Sequence, residues 1–172
     1  MERLVDDVLT YSRAGSTHSE AEVVQVSELL QYVIVILMPP ETFTIRVQEP
    51  MPVLKTFKAP LQQIFSNLIG NSIEHHDRPD GRVEILAKDL GGFCEFTVAD
   101  DGPGIAPEFH KRIFKKFQTL QSPCKVEGTG MGLALVKKLV EQQGGKVTLE
   151  SAPGKGASFS FTWPKQVEAE GP

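Results

Sequence analysis

The sequence predicts an α+β two-layer sandwich, a mixed β-sheet covered on one face by helices. Three observations lead there. Strand-like alternation comes in hairpin pairs, 83–88 with 93–99 through Gly91-Gly92 and 146–151 with 157–163 through Pro153-Gly154-Lys155-Gly156. Segments 61–76 and 131–143 instead carry their apolar residues at helical spacing. Helical and hairpin segments alternate along one chain, so each must bury its apolar side against the other kind.

Taken in order, residues 1–13 place Met1, Leu4, Val8 and Tyr11 at 3, 4, 3 spacing, with Val5 and Leu9 widening the stripe. That is the pattern of a helix packed in a bundle or coiled coil, or laid on its own domain. Gly15, Ser16 and Thr17 read as a linker. A strand is expected over 23–26, then a helix over 27–38 capped by Ser27 and stopped by Pro39-Pro40. Short strands follow at 42–47 and 53–57. The helix over 61–76 has one apolar side (Leu61, Ile64, Phe65, Leu68, Ile73) and another lined by Asn67, Asn71, Glu74 and His75. Asp77-Arg78-Pro79-Asp80-Gly81 ends it with dense turn residues. After the first hairpin and a long loop, the helix over 131–143 closes on Gly144-Gly145, and the second hairpin completes the sheet.

At 172 residues, 40% apolar and net charge −4, the chain is ordinary for one soluble domain with a real core. That charge favours neither nucleic acid nor an anionic membrane. The longest apolar run, 32–38, is far short of a bilayer span, and the N-terminus lacks a signal-peptide pattern, so the chain reads as cytoplasmic without direct membrane contact. Cys94 and Cys124 have no metal-ligand spacing and are expected as reduced thiols.

The chemistry concentrates in 98–133. This stretch opens Val98-Ala99-Asp100-Asp101-Gly102-Pro103-Gly104-Ile105 and closes Glu127-Gly128-Thr129-Gly130-Met131-Gly132-Leu133. A strand leads in and a helix leads out. Glycines just before a helix leave its first N–H groups uncovered at the positive end of the helix dipole, where a phosphate is stabilised. No G-x-x-x-x-G-K-[ST] is present, and Leu133 stands where G-x-G-x-x-G would need a glycine, so two common phosphate loops are excluded.

What remains is, in order, Asn67 and Asn71 on a helix, D-x-G-x-G-I, the pair Phe114 and Phe117, and G-x-G-x-G-L. This order resembles the ATP-binding catalytic domain of sensor histidine kinases, within the wider group of DNA gyrase, the large heat-shock chaperone and the MutL ATPase. The match covers most of 20–164. It implies the Bergerat ATP-binding fold, with the nucleotide between the helices. It also implies three regions: the end of a dimerisation and phosphoacceptor helix with its linker (1–15), the catalytic ATP-binding domain (16–165) and a tail (166–172).

The resemblance assigns roles residue by residue. Asn71 matches the asparagine that holds Mg²⁺ between the phosphates, a task suited to a hard amide oxygen. Asp100 matches the aspartate that accepts from the adenine amino group. Gly102 and Gly104 let the backbone approach the base, and Ile105 lines its pocket. Phe114 and Phe117 would anchor a mobile lid between Ala106 and Glu127, and Lys115, Lys116 and Lys125 read as phosphate contacts or a solvated basic face. Gly128, Thr129, Gly130, Gly132 and Leu133 would supply the phosphate loop. His75 and Glu74 fall near the nucleotide, Glu74 where related kinases carry a basic residue.

Asn67 occupies the position at which hydrolysing relatives carry a glutamate that activates water. None of His18, His75, His76 or His110 lies in the H-[ED]-x-[RK] pattern of a phosphoacceptor. The expected activity is therefore transfer of the γ-phosphoryl of Mg-ATP to a histidine on a dimerisation helix outside this chain, for relay to a response regulator, in a kinase that is a homodimer. The alternatives are a catalytically silent scaffold of the same fold, given Glu74, or a conformational ATPase of the chaperone or gyrase type, which Asn67 opposes.

Overall fold

The computed structural model describes residues 21–110, 112–114 and 132–166. Strand β1 (Glu22–Gln25) runs into helix α1 (Val26–Leu37), then β2 (Thr44–Val47), β3 (Val53–Thr56), α2 (Lys58–Glu74), β4 (Arg82–Asp89) and β5 (Phe93–Asp100). Two 3-10 turns, Pro107–Phe109 and Arg112–Phe114, precede α3 (Gly132–Gln142), β6 (Val147–Ser151) and β7 (Ala157–Pro164).

Five strands form one mixed sheet in the order β2-β4-β5-β7-β6, with β2 parallel to β4 and all other neighbours antiparallel. β1 and β3 pair antiparallel as a separate ribbon. Along β5 and β7 burial alternates residue by residue, placing Phe96, Val98, Phe159, Phe161 and Trp163 on the buried face. From α2, Phe65 meets Phe96 and Phe161 with ring centroids 5.3 and 5.4 Å apart, both edge to face. α2 packs between α1 and α3, and the three helices bury their apolar stripes on this side of the sheet. The expected two-layer sandwich is the observed one.

Helix boundaries differ from expectation in two informative places. Helix α1 begins at Val26 with Gln25 as its N-cap and no side-chain cap; the Ser27 hydroxyl donates instead to Glu49 Oε1 at 2.6 Å. Ser27 is thus inside the first turn rather than capping it. Helix α2 begins at Lys58, three residues before the expected start, because Pro60 falls in its first turn, where the missing N–H has no intrahelical partner to lose. It ends at Glu74, so His75 caps it and His76 lies beyond it.

Candidate functional site

Helix α2 turns its apolar stripe to the sheet and leaves Asn67 and Asn71, one turn apart, half-buried on another side. Their amides do different things. Asn67 is engaged at both ends: Nδ2 donates to the Gly132 carbonyl at 3.1 Å, and Oδ1 accepts from Gln63 Nε2 at 2.8 Å. It ties α2 to the first residue of α3. The Asn71 amide makes no hydrogen bond among the described residues and is open to a ligand.

Across the site, Asp100 ends β5. Its Oδ1 accepts from the Gly102 N–H at 2.9 Å and the Ala157 N–H at 3.3 Å, the first an Asx turn that shapes the loop. Among the described residues, Oδ2 accepts no bond. A carboxylate fixed by one oxygen and open at the other is a ready acceptor for an amino group.

The loop after Asp100 is interlocked with the β6–β7 turn. A Cβ on Gly104, at φ +78°, would stand 2.0 Å from the Ala152 carbonyl oxygen, and one on Gly156, at φ +75°, 2.0 Å from the Asp100 carbonyl oxygen. The Ser151 hydroxyl accepts from the Ile105 N–H at 2.8 Å and donates to the Gly156 carbonyl at 2.6 Å, while the Gly154 N–H donates to the Pro103 carbonyl at 2.7 Å. Sequence reading treats Pro153-Gly154-Lys155-Gly156 as a hairpin turn only. Its G-x-G spacing is the one signal that a second backbone approaches closely there.

Ile105 and Leu133 are half-buried against the core, and His110 Nε2–H donates to the Ile105 carbonyl at 2.9 Å. Phe114 packs edge to face on Phe159 at 6.1 Å. Glu74 is exposed at the last position of α2 and His75 half-buried next to it. Phe117, Gly128, Thr129 and Gly130 lie outside the described residues, as do residues 1–20, Lys115, Lys116, Cys124 and Lys125. Cys94 is buried in β5, and burial pushes its thiol pKa up, away from reactivity. Among the described residues no three His, Cys, Asp or Glu side chains cluster as metal ligands.

Residues 57–167 match the family described as histidine kinase-, DNA gyrase B-, and HSP90-like ATPase. The chain belongs to this family. Among curated relatives, this ATPase-family domain is 36% identical over 166 residues to cyanobacterial phytochrome A of Nostoc sp., covering 95% of this chain and 22% of that protein. The chain therefore spans about a fifth of the length of such relatives. Among solved structures, full-length ShkA in complex with AMPPNP superposes with a TM-score of 0.78 at 33% identity, over 94% of this chain and 35% of that one. The catalytic domain of histidine kinase ThkA superposes with a TM-score of 0.72 at 25% identity, over 86% and 97%. ThkA in complex with the response regulator protein TrrA gives 0.72 at 24% identity, over 95% and 47%. The fold and sequence are those of a histidine-kinase ATP-binding catalytic domain.

Proposed function

We propose that this domain binds Mg-ATP between α2 and the loop following β5, and transfers the γ-phosphoryl to a histidine on a dimerisation helix, from which a response regulator takes it. The observation that carries this reading is the division of labour on α2: Asn71 is open, whereas Asn67, at the position of the hydrolytic glutamate in ATP-cleaving relatives, is an amide bound to Gly132 and Gln63. An amide so engaged cannot take a proton from water, so ATP is kept for another nucleophile.

In this reading the open Oδ2 of Asp100 accepts from the adenine amino group, which selects adenine over guanine because guanine presents a carbonyl at that edge. Ile105 contributes apolar surface to the base. Asn71 would hold Mg²⁺ through its amide oxygen, a hard donor suited to that cation. When bound, the cation neutralises charge on the β- and γ-phosphates and makes the terminal phosphorus more open to attack. Gly132 and Leu133, with Gly128, Thr129 and Gly130 before them, offer backbone donors to the phosphates at the start of α3. Residues 1–15 would be the end of the dimerisation helix and its linker, 16–165 the catalytic domain and 166–172 a tail, in a homodimer whose catalytic part works in the cytoplasm. Among the described residues no helix is long and apolar enough to cross a membrane.

The test is transfer in trans. Incubated with γ-labelled ATP and Mg²⁺, this chain alone should remain unlabelled, and label should appear on a supplied dimerisation helix bearing the acceptor histidine. Stoichiometric phosphohistidine on the isolated chain, or rapid release of inorganic phosphate without transfer, would overturn the reading.

A further inference from the structure

Beyond α2, the His76 side chain is only 1% exposed, although the four residues that follow it, 77–80, are all exposed. Its ring stands edge-on to Phe43 at 5.3 Å. Gly81 makes room for it, since a Cβ there would lie 2.5 Å from the ring, and Gly102 borders it at ordinary contact distance. The Arg78 N–H donates to Nδ1 at 3.0 Å, so the proton is on Nε2, which donates to Asp101 Oδ1 at 2.7 Å. The Arg82 N–H donates to that same oxygen at 2.8 Å, and Arg78 Nη2 donates to Oδ2 at 2.9 Å. The Asp101 N–H closes the set on the Arg82 carbonyl at 3.3 Å. Every hydrogen-bond partner of Asp101 among the described residues thus comes from 76–82, and Asp101 directly follows the proposed adenine acceptor, Asp100.

We propose that His76 and Asp101 are a positioning pair that fixes Asp100 relative to α2, and so sets the span between the adenine acceptor and the metal-binding amide of Asn71. His76 follows Asn71 by five residues, just past the cap of the same helix. Its bond to Asp101 is therefore a direct tie between the phosphate end and the base end of one bound nucleotide. Asp100 stays paired with Val83 and Ala157 in the sheet, so loosening the tie lets the end of α2 shift against it; phosphates and base can then no longer be met at once, and the adenine contact is lost first. This inference rests on the reading of Asp100 as the adenine acceptor.

The experiment compares Mg-ATP and Mg-GTP affinity by calorimetry in four proteins, each confirmed folded by circular dichroism at the measurement temperature. His76→Phe keeps a ring against Phe43 and removes the donor, and should weaken ATP binding about fivefold to tenfold while changing GTP binding by less than about twofold. His76→Gln retains a donor at the reach of Nε2 and should recover at least about half of the ATP-over-GTP preference on a logarithmic scale. Asp100→Asn tests the underlying reading and should abolish most of that preference. An unchanged preference in His76→Phe beside a collapsed one in Asp100→Asn would overturn the positioning pair alone and reduce His76 to a structural contact. An unchanged preference in Asp100→Asn would overturn both.

Discussion

Asp100 uses one carboxylate oxygen to shape its own loop and presents the other. Replacing it with asparagine puts a donor where only acceptors stood, so Asp100→Asn should weaken ATP binding by about 1 to 3 kcal/mol in calorimetry. Burial pushes the neighbouring Asp101 carboxyl up, but the Arg82 N–H, His76 and the Arg78 charge together hold it below the usual carboxylate range. The unfolded chain therefore takes up the Asp101 proton first, at about pH 4. The stability that Asp101 contributes is complete above that value and is lost as pH falls through its lower folded value. Asp101→Asn should accordingly lower the melting temperature at pH 7, and the gap from the parent protein should close as pH falls below about 4. Glu74 is exposed at the end of α2; in the proposed ATP site its negative charge would stand near the several that ATP brings. Solvent screens it, so Glu74→Lys should tighten Mg-ATP binding by only about threefold, measured by calorimetry at low and moderate salt.

At the scale of elements, the glycine contacts between the loop after β5 and the β6–β7 turn make two segments one support. Gly156→Ala introduces a Cβ 2.0 Å from the Asp100 carbonyl oxygen in left-handed backbone. It should lower the melting temperature by roughly 5 °C or more and weaken ATP binding with it, because the displaced group belongs to Asp100 itself. This contact shows where sequence reading stops. Helix α3, both hairpins and the strands β4 and β5 are legible to within a residue or two, because period and turn residues act locally. The interlock joins Gly104 to Ala152 and Asp100 to Gly156, about fifty residues apart, and local pattern signals at most a close approach, through the G-x-G spacing, without naming the partner. The same holds for His76 with Asp101 and Asn67 with Gly132, whose partners are set by how α2 lies on the sheet.

For the whole molecule, the aromatic group formed by Phe65, Phe96, Phe161 and Trp163 joins the helical layer to the sheet. Phe65 comes from α2, which also carries both site asparagines. Phe65→Ala should cost about 3 to 5 kcal/mol of stability in chemical denaturation. At denaturant concentrations where the mutant is still folded, ATP affinity should fall little, since Asn67 and Asn71, the proposed site residues of α2, lie on another side of the helix from Phe65. That α2 is amphipathic was readable from 61–76, as was the mixed α+β class. That β2 joins β4 in parallel, or that β1 and β3 leave the main sheet as a ribbon, was not, because strand partners are chosen by long-range packing rather than by the strands' own residues.

That ribbon has a geometric consequence. Glu22, at the start of β1, pairs with Thr56 on one edge of β3, and Gln166, just past β7, bridges Lys55 on the other edge. Glu22 and Gln166 therefore lie about two interstrand spacings apart, roughly 10 Å, across a single strand. One four-residue strand thus joins the opening of the described fold to its close, so β3 fastens the two ends of the domain to each other and leaves neither to fray alone.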